Sequence, residues 1–220
     1  MRQIIIDTET TGLNPDDGHK IIEIGCVEII DRKITENIFH TYILPNRVID
    51  DDAIKVHGIT NEFLKDKPVF DKIADDFLNY ISNSPLVIHN APFDIAFLKS
   101  ELSQLGRSTD SIDPKNRKIH DTLKMARTIS PGKRNTLDAL CERYNVDNSN
   151  RDLHGALLDA RLLADVYLKM TMGQTDIANL ASGVKISKQN INISSSRHAK
   201  VITTSDEDNN AHDDYFKTAN

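Results

Sequence analysis

The stretch Ile4-Ile5-Ile6-Asp7-Thr8-Glu9-Thr10-Thr11-Gly12 decides the fold, because three consecutive isoleucines run into two carboxylates. An apolar run of β-branched residues without alternation predicts a strand that is buried on both faces of a sheet. Side chains two apart in a strand point to the same side, so Asp7 and Glu9 should face one point while Thr8 faces away. Two neighbouring anions favour a hard divalent cation such as Mg²⁺ between them. The alternative interpretation is a plain turn toward Gly12.

Composition and charge limit the classes of protein to consider. The chain has 220 residues, with 27 basic against 33 acidic side chains and a formal charge of −6. We therefore expect no broad basic surface that would hold nucleic acid nonspecifically. Cys26 and Cys141 lack the spacing of a zinc site or a disulfide framework, which is typical of a reducing cytoplasm. We expect no signal peptide and no membrane span.

Hydrophobic periodicity predicts strands and helices in alternation after the first strand. The predicted strands are Lys20–Ile30, Ile34–Leu44 and Leu86–Ile88, followed by a short one at Ile119 that enters a helix with Thr122 as its N-cap. The predicted helices are one that Pro68 opens, with apolar positions from Phe70 to Ile81, one from Asp94 to Gly106, one over Leu137–Tyr144 after the N-cap Thr136, and one that carries Asp159. No regular structure is predicted over residues 46–67.

Polar residues stand at the ends of several of these elements. His57 precedes Gly58 at a predicted turn, and Asp94 falls on the first turn of a helix. His154 can share a site with Asp159 only from the loop before the last helix, since residues five apart within a helix diverge by about 140°. There it is a candidate general base, because histidine accepts protons near neutral pH. Each of these residues also has a purely structural interpretation. His57 would be a surface histidine in a turn, Asp94 a partner for the helix dipole, and His154 a helix-start histidine without a chemical role.

Three motifs in this order resemble those of the DEDD exonucleases in their histidine-containing subgroup. They are Asp7-Thr8-Glu9-Thr10-Thr11-Gly12-Leu13, His89-Asn90-Ala91-Pro92-Phe93-Asp94 and His154-Gly155-Ala156-Leu157-Leu158-Asp159. The resemblance covers roughly residues 2–172 and implies an α/β fold of the ribonuclease-H-like type. That fold has a mixed five-stranded sheet flanked by helices, and we expect residues 1–172 to form this 3′-to-5′ exonuclease domain.

The resemblance also implies a chemical mechanism, which is two-metal hydrolysis of a phosphodiester at a DNA 3′ end with release of nucleoside monophosphates. On this implication Asp7, Glu9 and Asp159 hold the ion that carries the attacking water. Asp7 bridges to a second ion, which Asp94 supports, and His154 takes the proton from the water. The two divalent cations are Mg²⁺ or Mn²⁺.

Further residues match positions that line the pocket for the terminal nucleotide in relatives. They are Thr10, Thr11, His57, Asn90 and Phe93. Phe93 fits the apolar core equally well, so its assignment to the pocket stays open.

Residues 173–220 differ in composition from the rest, being rich in Ser, Asn, Thr and Asp without helical periodicity. They predict a flexible C-terminal tail. Within the family, the resemblance is strongest to proofreading subunits of bacterial replicative polymerases, which implies that the tail binds the polymerase catalytic (alpha) subunit. Gln174–Leu180 is similar to a sliding-clamp-binding peptide, with an ordinary linker as the alternative. A small accessory subunit is a further implied partner.

Two other functions are compatible with the same sequence features. The first is a stand-alone 3′-to-5′ exoribonuclease of the same superfamily, since the catalytic residues are shared. The second is a catalytically silent assembly subunit, which the intact set of five catalytic positions disfavours.

Overall fold

The computed structural model describes residues 1–151 and 153–172, which contain one five-stranded sheet. Its strands are β1 (Arg2–Thr10), β2 (Ile21–Ile30), β3 (Lys33–Tyr42), β4 (Leu86–Ile88) and β5 (Ile119–Asp121). The order across the sheet is β3-β2-β1-β4-β5. The β1/β2 and β2/β3 pairs are antiparallel, whereas β4 lies parallel to both β1 and β5. The predicted mixed five-stranded sheet is confirmed, with β1 at its centre.

Seven α-helices accompany the sheet in the described part of the chain. They are α1 (Asp51–His57), α2 (Asn61–Leu64), α3 (Phe70–Ile81), α4 (Ala91–Gln104), α5 (Thr122–Ile129), α6 (Leu137–Tyr144) and α7 (Ala156–Met170). None of the helices within the described ranges is both long enough and apolar enough to cross a bilayer.

The three isoleucines of β1 divide between two apolar layers. Ile4 and Ile6 pack with buried residues of α3 and α4, whereas Ile5 packs with buried residues of α6 and α7. All three side chains are fully buried. The alternation of a strand therefore sends even-numbered side chains of β1 toward α4 and odd-numbered ones toward α7. This division decides which helix each carboxylate meets.

Three local features differ from the sequence-based expectation. The N-cap of α5 is Asp121 rather than Thr122, because the Asp121 carboxylate accepts the backbone N–H groups of Leu123 and Lys124 at 3.0 and 3.2 Å. Helix α1 lies in a stretch without predicted structure. Helix α3 begins at Phe70 rather than at Pro68, because Val69 before it has an extended backbone with φ −75° and ψ 158°.

Gly25 of β2 allows α7 to begin directly on the sheet. A Cβ atom at this position would lie 2.3 Å from the carbonyl carbon of Ala156 and from the backbone nitrogen of Leu157. Gly25 pairs with Asp7 across the β1/β2 ladder. The first turn of α7, which carries Asp159, is therefore brought close to the carboxylates of β1.

The predicted tail (residues 173–220) and the candidate clamp-binding peptide Gln174–Leu180 lie outside the described residues.

Candidate active site

One cavity of about 1090 Å³ collects the five side chains that the motifs identified. They are Asp7, Glu9, Asp94, His154 and Asp159. The first two come from β1, the third from the first turn of α4, and the last two from the loop before α7 and its first turn. Residues that are up to 152 positions apart in the sequence thus share one site.

The carboxylates approach β1 from both faces of the sheet. Asp7 and Glu9 are on the side of α7, where Asp159 is 3% exposed. Asp94 is also buried and comes from α4 on the other side, where the Thr8 hydroxyl donates to its Oδ1 atom at 2.8 Å. Thr8 does point away from its two acidic neighbours, as predicted. Its unforeseen contribution is to hold the third carboxylate in place.

Burial makes this cluster unfavourable for negative charge. Burial, together with the charges of Asp159 and Glu23, raises the pKa of Glu9 to about 8. Burial and then the charge of Asp94 raise the pKa of Asp7 well above its usual range. Burial raises the pKa of Asp94 as well, although its hydrogen bond from Thr8 acts in the opposite direction. In the absence of a cation, Glu9 is therefore poised to retain its proton near neutral pH.

The donor set fits a divalent metal ion. Ligand atoms of Glu9, His154 and Asp159 all lie within 4.8 Å of one another. Carboxylate oxygens are the ligands that Mg²⁺ and Mn²⁺ prefer, and a cation would remove the electrostatic cause of the raised pKa values. Asp7 and Asp94 lie outside this three-residue group but line the same cavity.

His154 lies in the loop before α7, as the sequence requires for a site shared with Asp159. Its backbone N–H donates to the carbonyl of Val56 at 3.1 Å, and its side chain is 46% exposed. The Nδ1 atom is 3.7 Å from Asp159 Oδ2 and 3.1 Å from Nη2 of Arg151. Burial and the charge of Arg151 lower the pKa of His154. The imidazole is therefore neutral, and able to accept a proton, at pH 7.

Arg151 is the principal charged residue that sequence reasoning missed. Its Nε and Nη2 atoms donate to the two carboxylate oxygens of Asp159 at 2.6 and 2.7 Å, and Nη1 donates to Asp138 at 2.7 Å. The guanidinium side chain is 5% exposed. This bidentate pair places a positive charge directly beside the Asp159 carboxylate.

Glu23 of β2 connects the sheet to the start of α7. It lies opposite Glu9 in the β1/β2 ladder and is 2% exposed. Its Oε2 atom accepts the backbone N–H of Ala156 at 3.1 Å, and its Oε1 atom is 2.7 Å from Nε2 of His40. Because Ala156 is the first residue of α7, this bond fixes the loop that carries His154. Only the acidic character of an otherwise apolar strand hinted at such a role.

The five predicted nucleotide-pocket residues do not all reach a cavity. Thr10, His57 and Phe93 line a second cavity of about 760 Å³, and Phe93 also lines the first one. Asn90 lines the first cavity from a left-handed backbone conformation at the start of α4. Thr11 is fully buried and lines neither cavity. If Thr11 contributes to the nucleotide pocket, it therefore does so indirectly and not by lining a cavity.

The contacts of these residues explain their positions. The hydroxyl of Thr11 accepts the backbone N–H of Lys20 at 3.0 Å, so it braces the loop after β1. His57 is buried at the end of α1, where its Nδ1 atom accepts the N–H of Ile59 at 3.0 Å, so it is not a surface histidine. The Phe93 ring lies 4.9 Å from that of Phe97 and is partly buried against the core. Phe93 thus packs against the core and also lines both cavities, and its contact with a nucleotide stays a prediction.

Comparisons with known proteins agree on one family. Residues 4–167 match the sequence model of the family described as Exonuclease. The chain is 57% identical over 182 residues to the DNA polymerase III subunit epsilon of Pasteurella multocida, covering 80% of this chain and 70% of that protein. It is 54% identical over 189 residues to the Escherichia coli protein of the same name, covering 83% and 76%.

Among solved structures, the fold is similar to that of exonuclease X in complex with 5′ overhanging duplex DNA. The TM-score is 0.62 and the sequence identity 28%, over 79% of this chain and 93% of that one.

Proposed function

This chain belongs to the exonuclease family, and from that membership we propose that it is the proofreading 3′-to-5′ exonuclease subunit, epsilon, of a bacterial DNA polymerase III. It would hydrolyse the terminal phosphodiester bond at a DNA 3′ end and release nucleoside monophosphates. The observation that carries this proposal is the single cavity in which four carboxylates and His154 meet. The two relatives named DNA polymerase III subunit epsilon match this chain over 70% and 76% of their own length. Their name supports the DNA substrate and the association with a polymerase.

The carboxylates would hold two divalent cations, either Mg²⁺ or Mn²⁺. We assign Asp7, Glu9 and Asp159 to the first ion, and Asp7 with Asp94 to the second. Such a pair of ions acidifies the attacking water and stabilises charge on both the attacking and the leaving oxygens. The assignment is supported by the four carboxylates that line one cavity, since a cation would offset the repulsion between their charges.

We assign the remaining roles in the reaction to side chains of the protein. His154, neutral because its pKa is lowered, would accept the proton of the attacking water from the mouth of the cavity. Thr8 keeps the Asp94 carboxylate aimed at the site. Glu23 holds the start of α7, and with it the loop of His154. No protein nucleophile is required.

The terminal nucleoside would enter the second cavity, between Thr10, His57 and Phe93. Thr8, Glu9 and Phe93 line both cavities, so the sugar and base would lie beside the scissile phosphate. Asn90 would contact the substrate from the first cavity. Thr11 would act indirectly by holding the loop after β1.

Partners outside the domain belong to the same proposal. Residues 173–220 would bind the catalytic alpha subunit of the polymerase, and Gln174–Leu180 would bind the sliding clamp. A small accessory subunit would complete the assembly. Work at the replication fork would place the protein in the cytoplasm.

The direct test compares purified protein with Mg²⁺ on matched DNA, mismatched DNA and RNA of equal length. We expect faster release of nucleotides from the mismatched 3′ end than from the matched one, and slow cleavage of RNA. Asp7→Asn should abolish hydrolysis, and His154→Ala should lower the rate by roughly 10²- to 10⁴-fold, as loss of a general base does. Preferential cleavage of RNA would instead identify a 3′-to-5′ exoribonuclease. Unchanged hydrolysis by Asp7→Asn would rule out the site.

A further inference from the structure

A basic surface forms part of the wall of the first cavity, which the carboxylates also line. Three cationic side chains line this wall, namely Arg127, Lys133 and Arg134. We call these three residues the basic rim. All three are exposed, and none forms an ion pair with another residue of the described ranges 1–151 and 153–172. In a chain of net charge −6, three unpaired cations beside a carboxylate cluster form a local exception.

The loop that carries Lys133 and Arg134 is held in place by hydrogen bonds to its backbone carbonyls. Asn135 is buried, and its side-chain amide donates to the carbonyl of Lys133 at 2.9 Å. Arg143 of α6 donates to the side-chain oxygen of Asn135 at 2.8 Å and also to the carbonyl of Arg134. Gly132 turns the chain with a φ of 76°. The backbone is thus fixed while the Lys133 and Arg134 side chains remain free to meet a ligand.

The rim also leads out of the active site. A neighbouring cavity of about 830 Å³ shares Lys133, Arg134 and Asp138 with the first cavity and continues to Arg143 and Asn148. Lys133, Arg134 and Arg143 therefore line a path that runs outward from the carboxylate site, together with two acidic residues, Asp138 and Glu142. A carboxylate cluster repels phosphates unless cations lie near it, so an extended polyanion gains most along this path.

We propose that Arg127, Lys133 and Arg134 bind the backbone phosphates of the strand immediately 5′ of the scissile bond. This inference rests on the proposed exonuclease activity and adds the direction in which the substrate leaves the site. The rim binds charge rather than base edges, so it positions any sequence equally. It gives this acidic protein its affinity for single strands longer than a dinucleotide.

The test uses the triple variant Arg127→Gln/Lys133→Gln/Arg134→Gln in the full-length chain. Its matched control is Lys33→Gln/Lys72→Gln/Arg161→Gln, which removes the same charge from exposed residues that line neither the first cavity nor its outward continuation. Binding of a fluorescein-labelled single strand is measured by anisotropy in EDTA over a series of salt concentrations. Hydrolysis of the nitrophenyl ester of thymidine 5′-monophosphate is measured with Mg²⁺, because this substrate has no upstream phosphate.

We expect the rim variant to bind the strand about tenfold or more weakly than the wild type. The slope of log affinity against log salt should become shallower by about 2, because each of the three lost phosphate contacts contributes roughly 0.7 to it. Hydrolysis of the ester should stay within twofold of the wild type, and the control should retain the wild-type salt slope.

Three outcomes would overturn the inference. An unchanged salt slope would show that the rim contacts no phosphate. An equal change in the control would show a general effect of net charge. A parallel loss of ester hydrolysis and of strand binding would show that the rim supports the active site itself. Failure of the wild type to hydrolyse the ester would count against the proposed function instead, while the binding slopes would still decide the role of the rim.

Discussion

At the scale of single residues, Arg151 is in a position to compete with a metal ion. Its guanidinium occupies both oxygens of Asp159, one of the carboxylates that we assign to a cation. A carboxylate that is bidentate to arginine has few lone pairs left on that side for a second cation. We therefore expect the pair to stabilise the metal-free protein and to loosen if a metal ion binds Asp159.

Replacement of this arginine should have opposite effects on metal-free stability and on metal affinity. We expect Arg151→Gln to lose up to about 3 kcal/mol of unfolding free energy in EDTA, because one partner of a buried pair is removed. Mn²⁺ should bind the variant more tightly and restore a larger share of its stability. Thermal unfolding with and without Mn²⁺, together with calorimetric titration, measures both effects.

Arg161→Gln is the matched control, since Arg161 is exposed on the same helix α7. It should behave as the wild type. Weaker Mn²⁺ binding by Arg151→Gln would contradict the competition and would show that the arginine supports the metal site.

The raised pKa of Glu9 predicts how stability depends on pH in the absence of metal. Its pKa is about 8 in the folded chain against an ordinary value of 4.5, so the folded state binds the proton more tightly than the unfolded state does. The free energy of unfolding should therefore fall as pH rises from about 4.5 through 8. The lowered pKa of His154 acts in the opposite sense below about 6.5, so the range from pH 7 to 8.5 isolates the carboxyl effect.

Denaturant unfolding in EDTA at intervals from pH 7 to 8.5 measures this slope. The Glu9→Gln variant should show a markedly shallower slope, because it has no proton to lose at that position. Saturating Mg²⁺ should reduce the slope of the wild type, since the cation replaces the proton. An identical slope in Glu9→Gln and wild type would assign the pH dependence to other groups.

At the scale of elements, the sequence was sufficient to predict those features that depend only on the local pattern of residues. The isoleucines of β1 and the alternation of Asp7 and Glu9 are local, as is the cap that Thr136 provides for α6, where its hydroxyl accepts the N–H of Ala139 at 3.3 Å. The cavity that unites the motifs could be predicted only from the family resemblance, because three elements distant in the sequence form it.

Other features could not be read from the pattern. Helix α1 has no buried stripe, and of its residues only His57 is buried, so its periodicity carries no signal. The N-cap of α5 was predicted one residue too late, because Asp121 and Thr122 are adjacent and both residue types are suitable N-caps. Arg151 was missed because its partners Asp138 and Asp159 are fixed by how α6 and α7 pack, which no spacing rule describes.

Gly25 tests how closely α7 must approach the sheet. Gly25→Ala would place a Cβ 2.3 Å from backbone atoms of α7, so the helix start must move. We expect a loss of about 1–3 kcal/mol, as for overpacked sites, and a fall in hydrolysis as Asp159 and His154 shift. Urea unfolding and hydrolysis of a short single strand measure the two effects.

Gly155→Ala is the control for this substitution. A Cβ at Gly155 has no atom within 4 Å, so the substitution causes no clash and should cost less than Gly25→Ala, the remaining cost being that of a poorer N-cap. Equal effects of the two substitutions would show that flexibility of the loop, rather than the close approach at Gly25, is what the site requires.

At the scale of the whole molecule, charge explains why a partner is needed. The chain has a net charge of −6, and among the residues that the structure describes, the cations that line the active-site cavity without an ion pair are those of the basic rim. A few phosphate contacts give an affinity for DNA that is modest and falls steeply with salt. Attachment to a polymerase would supply the missing affinity as effective concentration, which reaches millimolar values for short connections.

Removal of residues 181–220 should therefore separate catalysis from delivery. The five proposed catalytic residues all lie before Ala160, so hydrolysis of short single strands should stay close to that of the full-length chain. Association with the polymerase subunit should be lost, and mismatch removal during synthesis should slow. Size-exclusion chromatography with the polymerase subunit measures the association, and primer extension from a mismatched end measures the delivery. Full-stoichiometry copurification of the truncated chain in high salt would show that residues 1–180 make the main contact, which would contradict the role that we propose for the C-terminal residues.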